Sequence, residues 1–128
     1  MAKLFIVDDE KHIRLLYREV FQDEGYDVIE AEGGAGLVDR IKKEKPDLVI
    51  LDIKMAEHNG LDLLQEIRTH FNELPVILSS AYGSYKGDYK TLAADSYVIK
   101  SSDLTELKKR VRQGIESRIP LPINGKDQ

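Results

Sequence analysis

The chain has 128 residues, no cysteine, 19 lysines plus arginines and 23 aspartates plus glutamates, for a formal charge of −4. That length fits one domain able to bury roughly two-thirds of its unfolded surface, and 41% hydrophobic with 33% charged residues describes a soluble globule rather than a disordered chain. The composition excludes disulfides and thiolate chemistry, no apolar run approaches the ~18 residues that span a bilayer, the N-terminus lacks a signal-peptide pattern, and the mild acidity argues against a nucleic-acid face.

Five short, mostly β-branched or aliphatic runs recur along the chain, at residues 4–7, 27–29, 48–51, 76–78 and 97–99. Such runs suit strands buried on both faces, and the third, the most continuously apolar, is expected at the centre. Between the first two, Ile13, Leu16, Tyr17, Val20 and Phe21 form an amphipathic stripe that Gly25 should end. Leu37, Val38 and Ile41 give a shorter helix, stopped by Lys45-Pro46. Leu61, Leu64, Ile67 and Phe71 give a third. Residues 85–94 give a poor fourth helix containing Gly87, expected to be short or mobile. Leu104, Leu107, Val111 and Ile115 give a fifth, opened by a capping-box pattern at Asp103 and Glu106.

Alternating strands and helices predict an α/β fold: a doubly wound five-stranded parallel sheet, flavodoxin-like order 2-1-3-4-5, with helices on both faces. Residues 1–117 form the domain, and residues 118–128, with Pro and Gly among polar groups, read as a flexible tail or linker stub.

In such sheets ligands bind beyond the carboxyl ends of the strands. Asp8, Asp9 and Glu10 follow the first strand, Asp52 the third, Ser79, Ser80 and Ala81 the fourth, and Lys100 the fifth; the second strand ends in Glu30, with nothing to single out. Three carboxylates from adjacent strands make a hard oxygen site suited to Mg²⁺. A carboxylate nucleophile, a divalent cation and a lysine are the parts of a phosphoryl-transfer site. Taken singly, each residue has a duller explanation: an Asp after a strand usually caps a helix, a Ser usually closes a turn, and a Lys usually meets solvent. Four such coincidences at four strand ends favour one site.

The motifs Val7-Asp8-Asp9-Glu10, Leu51-Asp52-Ile53-Lys54-Met55 with Gly60 beyond, Ser80-Ala81-Tyr82-Gly83 and Tyr97-Val98-Ile99-Lys100 stand in order. Over residues 3–116 the chain resembles the receiver domain of two-component response regulators. The resemblance implies that Asp52 accepts a phosphoryl group from a histidine kinase, a phosphotransfer protein or a small phosphodonor. It makes Asp8, Asp9, Asp52 and the Lys54 carbonyl the Mg²⁺ ligands, and Lys100 the partner of the phosphoryl group. Ser80 and Tyr97 become the switch pair, relaying the event to the face of the fourth helix, fifth strand and fifth helix. It further implies a cytoplasmic protein that is a monomer or a phosphorylation-dependent dimer, contacts a downstream protein, touches neither nucleic acid nor membrane, and is a switch rather than a turnover enzyme. Ser101 after the lysine and Ala56 in the third loop replace prolines common in that family.

Three rival readings remain. A Mg²⁺-dependent aspartyl phosphohydrolase would want a second acid where Lys54 stands. A nucleotide or flavin module would want glycines where Asp8-Asp9-Glu10 stand. A pseudo-receiver would bind partners without being phosphorylated.

Overall fold

Each apolar run extends by a residue or two into a strand. They are β1(Lys3–Val7), β2(Asp27–Ala31), β3(Leu48–Asp52), β4(Val76–Ser80) and β5(Ser96–Ile99). The computed structural model describes residues 1–55, 59–81, 93–101 and 103–118. All four strand pairings are parallel, in the order β2-β1-β3-β4-β5, as expected from the alternation. Every residue of the central β3 is buried, and so is every residue of β4; the edge strands β2 and β5 are only partly covered. That gradient follows from position, since an inner strand has helices over both faces and neighbours on both sides.

Four described helices cover the sheet: α1(Lys11–Asp23), α2(Leu37–Glu44), α3(Gly60–His70) and α4(Thr105–Arg118). The poor fourth helix expected at residues 85–94 falls almost wholly outside the described residues, as does most of the expected tail, so α4 is the helix expected fifth. Strand alternation splits the core into two layers. Phe5, Val7, Val49, Leu51, Val76 and Leu78 pack with α2 and α3. Leu4, Ile6, Leu48, Ile50, Ile77 and Val98 pack on the other face with Tyr17 and Phe21 of α1 and with Leu107 and Val111 of α4.

Two expectations need correction. Leu16 does not belong to the buried stripe of α1; it is 42% exposed, beside an exposed Leu15, while Arg14 is buried with Tyr17 and Phe21. Positions 14, 17 and 21 lie on one helical face, so burial followed geometry rather than hydrophobicity, and the reason for burying a cation there lies at the strand ends. The capping box of α4 is half formed. Asp103 Oδ1 accepts from the Thr105 N–H at 2.9 Å, but the Asp103 N–H donates to Ser101 Oγ, and Glu106 pairs with Arg110 instead.

Gly114 on α4 rests against the start of β3. An ideal Cβ there would lie 2.6 Å from Leu48 Cδ1, so a larger residue would have to push the end of the Leu48 side chain aside.

Candidate functional site

Parallel strands bring their carboxyl ends to one rim, and the residues expected to act together meet there. Asp8 and Asp52 are 2% and 3% exposed. Asp9, more exposed, completes a group of three carboxylates whose oxygens lie within 4.8 Å of one another. Lys100 reaches in from the end of β5, its backbone N–H bonded to the Ser80 carbonyl at 2.7 Å. Its Nζ lies 2.9 Å from Asp8 Oδ2, 3.2 Å from Glu10 Oε1 and 3.4 Å from Asp52 Oδ1.

Asp8 does not cap α1, whose N-cap is Glu10 with no side-chain cap bond; it makes the turn just before it. Its Oδ1 accepts from the Glu10 N–H at 2.9 Å, holding the entry to α1, while Oδ2 turns to Lys100. Asp52 Oδ1 accepts weakly from the Lys54 N–H at 3.4 Å. Lys54 itself is exposed.

Electrostatics mark the two central groups in the same direction. Burial and the neighbouring Asp8 push Asp52 up to about 6, against the pull of Lys100 and the Lys54 N–H. Burial alone would lower Lys100, but its bonds to Asp8 and the charges of Asp8 and Asp52 outweigh burial and raise it. The ammonium is therefore held firmly in its charged form, while the Asp52 carboxylate bears the cost of its burial and of Asp8 beside it. That cost is what a divalent cation would relieve, and three hard carboxylate oxygens at this spacing suit Mg²⁺ better than a soft metal.

Gly60 bears on the site through its neighbours. The chain returns over the end of β3, and the Gly60 N–H donates to the Ile53 carbonyl at 2.6 Å. A Cβ on Gly60 would come within 2.6 Å of Ile53 Cα and closer still to the Asp52 carbonyl. Asn59 then caps α3, its side chain accepting from the Leu61 N–H at 2.7 Å.

Ser79 and Ser80 are both buried. Alternation sends them to opposite faces: Ser79 lies in register with Asp52, and Ser80 lies on the face of Leu78. Tyr97 is half-buried against the α2–α3 layer. Ala81 is exposed beyond the end of β4.

Sequence reasoning missed three participants. Arg14, 8% exposed, donates from Nη1 to the Asp8 carbonyl at 2.7 Å and from Nε to Glu30 at 3.2 Å. Glu30, passed over at the end of β2, also pairs with Arg18 at 2.8 Å. This cluster pins the backbone beneath Asp8 to both α1 and β2. Glu10, read only as an extra acid, shares Lys100 with Asp8. A cation on the buried stripe of α1 and an acid ending the adjacent strand were the available signal.

Residues 4–112 match the family described as response regulator receiver domain. The sporulation initiation phosphotransferase F of Bacillus subtilis (strain 168) is 35% identical over 124 residues, which cover 95% of this chain and 97% of that protein. Among solved structures, the response regulator protein TrrA of Thermotoga maritima in complex with Mg²⁺-BeF is 40% identical. It aligns with a TM-score of 0.86 over 89% of this chain and 99% of that one. TrrA in complex with the histidine kinase ThkA is also 40% identical, with a TM-score of 0.84 over 90% and 99% of the two chains. The acid-rich rim at the carboxyl ends of a 2-1-3-4-5 sheet and the match over residues 4–112 agree: this chain belongs to the response regulator receiver domain family of two-component signalling.

Proposed function

We propose that the chain is a phosphorylation-dependent switch whose acceptor is Asp52. The observation that carries this reading is Lys100 Nζ lying within 3.4 Å of both buried carboxylates, Asp8 and Asp52, with Asp9 alongside. Asp8, Asp9, Asp52 and the Lys54 carbonyl would hold Mg²⁺, which when bound neutralises charge on the phosphoryl oxygens and carboxylates. Asp52 presents the attacking carboxylate oxygen. Lys100, already charged, exchanges part of its hold on Asp8 and Glu10 for the new phosphoryl oxygens. The added charge of about −1.5 to −2 draws the Ser80 hydroxyl toward it. Tyr97 then repacks on the α2–α3 side of β5, altering the surface offered to a downstream protein. The change is a shift between two populated states.

The donor is a histidine kinase, a phosphotransfer protein or a small phosphodonor. TrrA, similar to this chain along nearly all its length, forms a complex with a histidine kinase. The protein assists its own phosphorylation and hydrolysis without turning over an external substrate, which fits a Lys54 side chain standing where a phosphohydrolase would place an acid.

Incubation with Mg²⁺ and acetyl phosphate should add one phosphoryl mass to the wild type and none to Asp52→Ala. Equal labelling of Asp52→Ala would overturn the assignment.

A further inference from the structure

One buried hydroxyl beside the acceptor is unpaired. Ser79 is 1% exposed, and its Oγ makes no hydrogen bond. Its register partners are Asp52 on β3 and Val98 on β5. Paired positions on neighbouring parallel strands share a face, so Ser79 flanks the Asp52 carboxyl group on the α1–α4 side. Tyr17 of α1, 2% exposed, closes that side in the same layer as Ile77 and Val98. Its phenol faces the Ser79 hydroxyl and feels the charges of Lys100, Asp8 and Asp52. Two buried hydroxyls thus stand under the ion cluster, near each other but without a hydrogen bond of good geometry at Ser79 Oγ.

A lone buried hydroxyl is costly unless some state of the protein employs it. We propose that Ser79 and Tyr17 are positioning residues for the acceptor, with Ser79 donating to the Asp52 carboxyl group once it is modified and Tyr17 donating to Ser79 Oγ. Each hydroxyl has one proton and two lone pairs, so the chain from Tyr17 through Ser79 to Asp52 uses both protons and leaves neither orphaned. It links the acceptor to α1, on the face opposite Ser80 and Tyr97. Arg14, one turn earlier, fixes α1 to the Asp8 carbonyl, so the helix is tied to the site at two heights.

The inference rests on Asp52 being the acceptor, and its test separates the two ideas. The full chain is labelled at the hydroxyl-bearing ring carbon of its 6 tyrosines. Spectra are recorded with Mg²⁺ alone and with Mg²⁺ plus beryllofluoride, and Tyr17→Phe identifies the Tyr17 line. The line should move when beryllofluoride is added to the wild type, stay still in Asp52→Ala, and stop responding in Ser79→Ala. Beryllofluoride affinity should fall about threefold or more in Tyr17→Phe and in Ser79→Ala, and no further in the double variant. A purely structural pair would lower stability without moving the Tyr17 line of the wild type. A still line in wild type that binds beryllofluoride, or additive losses in the double variant, overturns the pairing. Equal beryllofluoride binding by wild type and Asp52→Ala overturns the acceptor reading beneath it.

Discussion

Replacing Asp52 by asparagine should make the metal-free protein more stable, because the native carboxylate is held at a cost. Burial and Asp8 raise its pKa from 3.8 to about 6. A carboxyl raised in the folded state binds its proton more tightly there than in the unfolded chain. Its stabilising protonated form is fully present below the unfolded value, and the benefit is lost as pH rises through the folded value. Two pKa units correspond to ~3 kcal/mol, so ionised Asp52 burdens the fold by that order above pH ~6. Asparagine keeps the shape and discards the charge. Urea denaturation in EDTA should show Asp52→Asn more stable by about 2–3 kcal/mol near pH 8, with the difference closing toward zero near pH 4. Mg²⁺ should narrow the gap at high pH, since the wild type binds the cation better and gains stability by mass action. A variant no more stable than wild type at about pH 8, or a difference that does not change with pH, would refute the account of Asp52 as an over-crowded carboxylate.

Other substitutions test the surroundings. Gly60→Ala must displace backbone rather than a side chain, since the new Cβ meets Ile53 Cα; calorimetry should show a loss of about 2 kcal/mol or more, with weaker Mg²⁺ binding. Arg14→Ala should cost about 2–3 kcal/mol in denaturant titrations, because it leaves Glu30 with Arg18 alone and frees the Asp8 carbonyl. Asp8→Asn should abolish most of the stabilisation that Mg²⁺ confers on wild type, measured as the shift in melting temperature on adding the ion. Leu16→Ala should cost under about 1 kcal/mol while Phe21→Ala costs about 3–5 kcal/mol, and comparable losses would contradict the rotation of α1 seen here.

The fold was legible because the strands carry their burial in composition. The runs at β1, β3 and β4 are apolar along their whole length, which only a sheet covered on both faces explains, and an acid or hydroxyl punctuates each at the same end. The site was legible for the same reason: in a parallel sheet the residue after each strand faces one rim. Arg14 and Glu30 were not, since hydrophobic patterning treats a buried arginine as a break in the stripe. The helix instead turned Arg14 inward because a backbone carbonyl and a carboxylate were waiting there. Leu15 and Leu16 were left in solvent as a result. The split of the capping duties at α4 between Asp103 and Ser101 was equally hidden, because it depends on how the loop after Lys100 folds back.

The seat of Gly114 on Leu48 has a consequence of scale. Leu48 begins β3 and Asp52 ends it, so Gly114, near the far end of α4, lies at the pole of the molecule opposite the acceptor. Fourteen residues of helix measure about 20 Å. Anything gripping that end of α4 stands a helix length from the chemistry and can learn of it only if the helix moves as a rod. With glycine there, the rod lies close enough to the sheet to bear directly on the Leu48 side chain. Inward travel has to displace the Leu48 side chain, so sliding along its axis, rolling or lifting are the freer motions by which that pole could register a phosphoryl group.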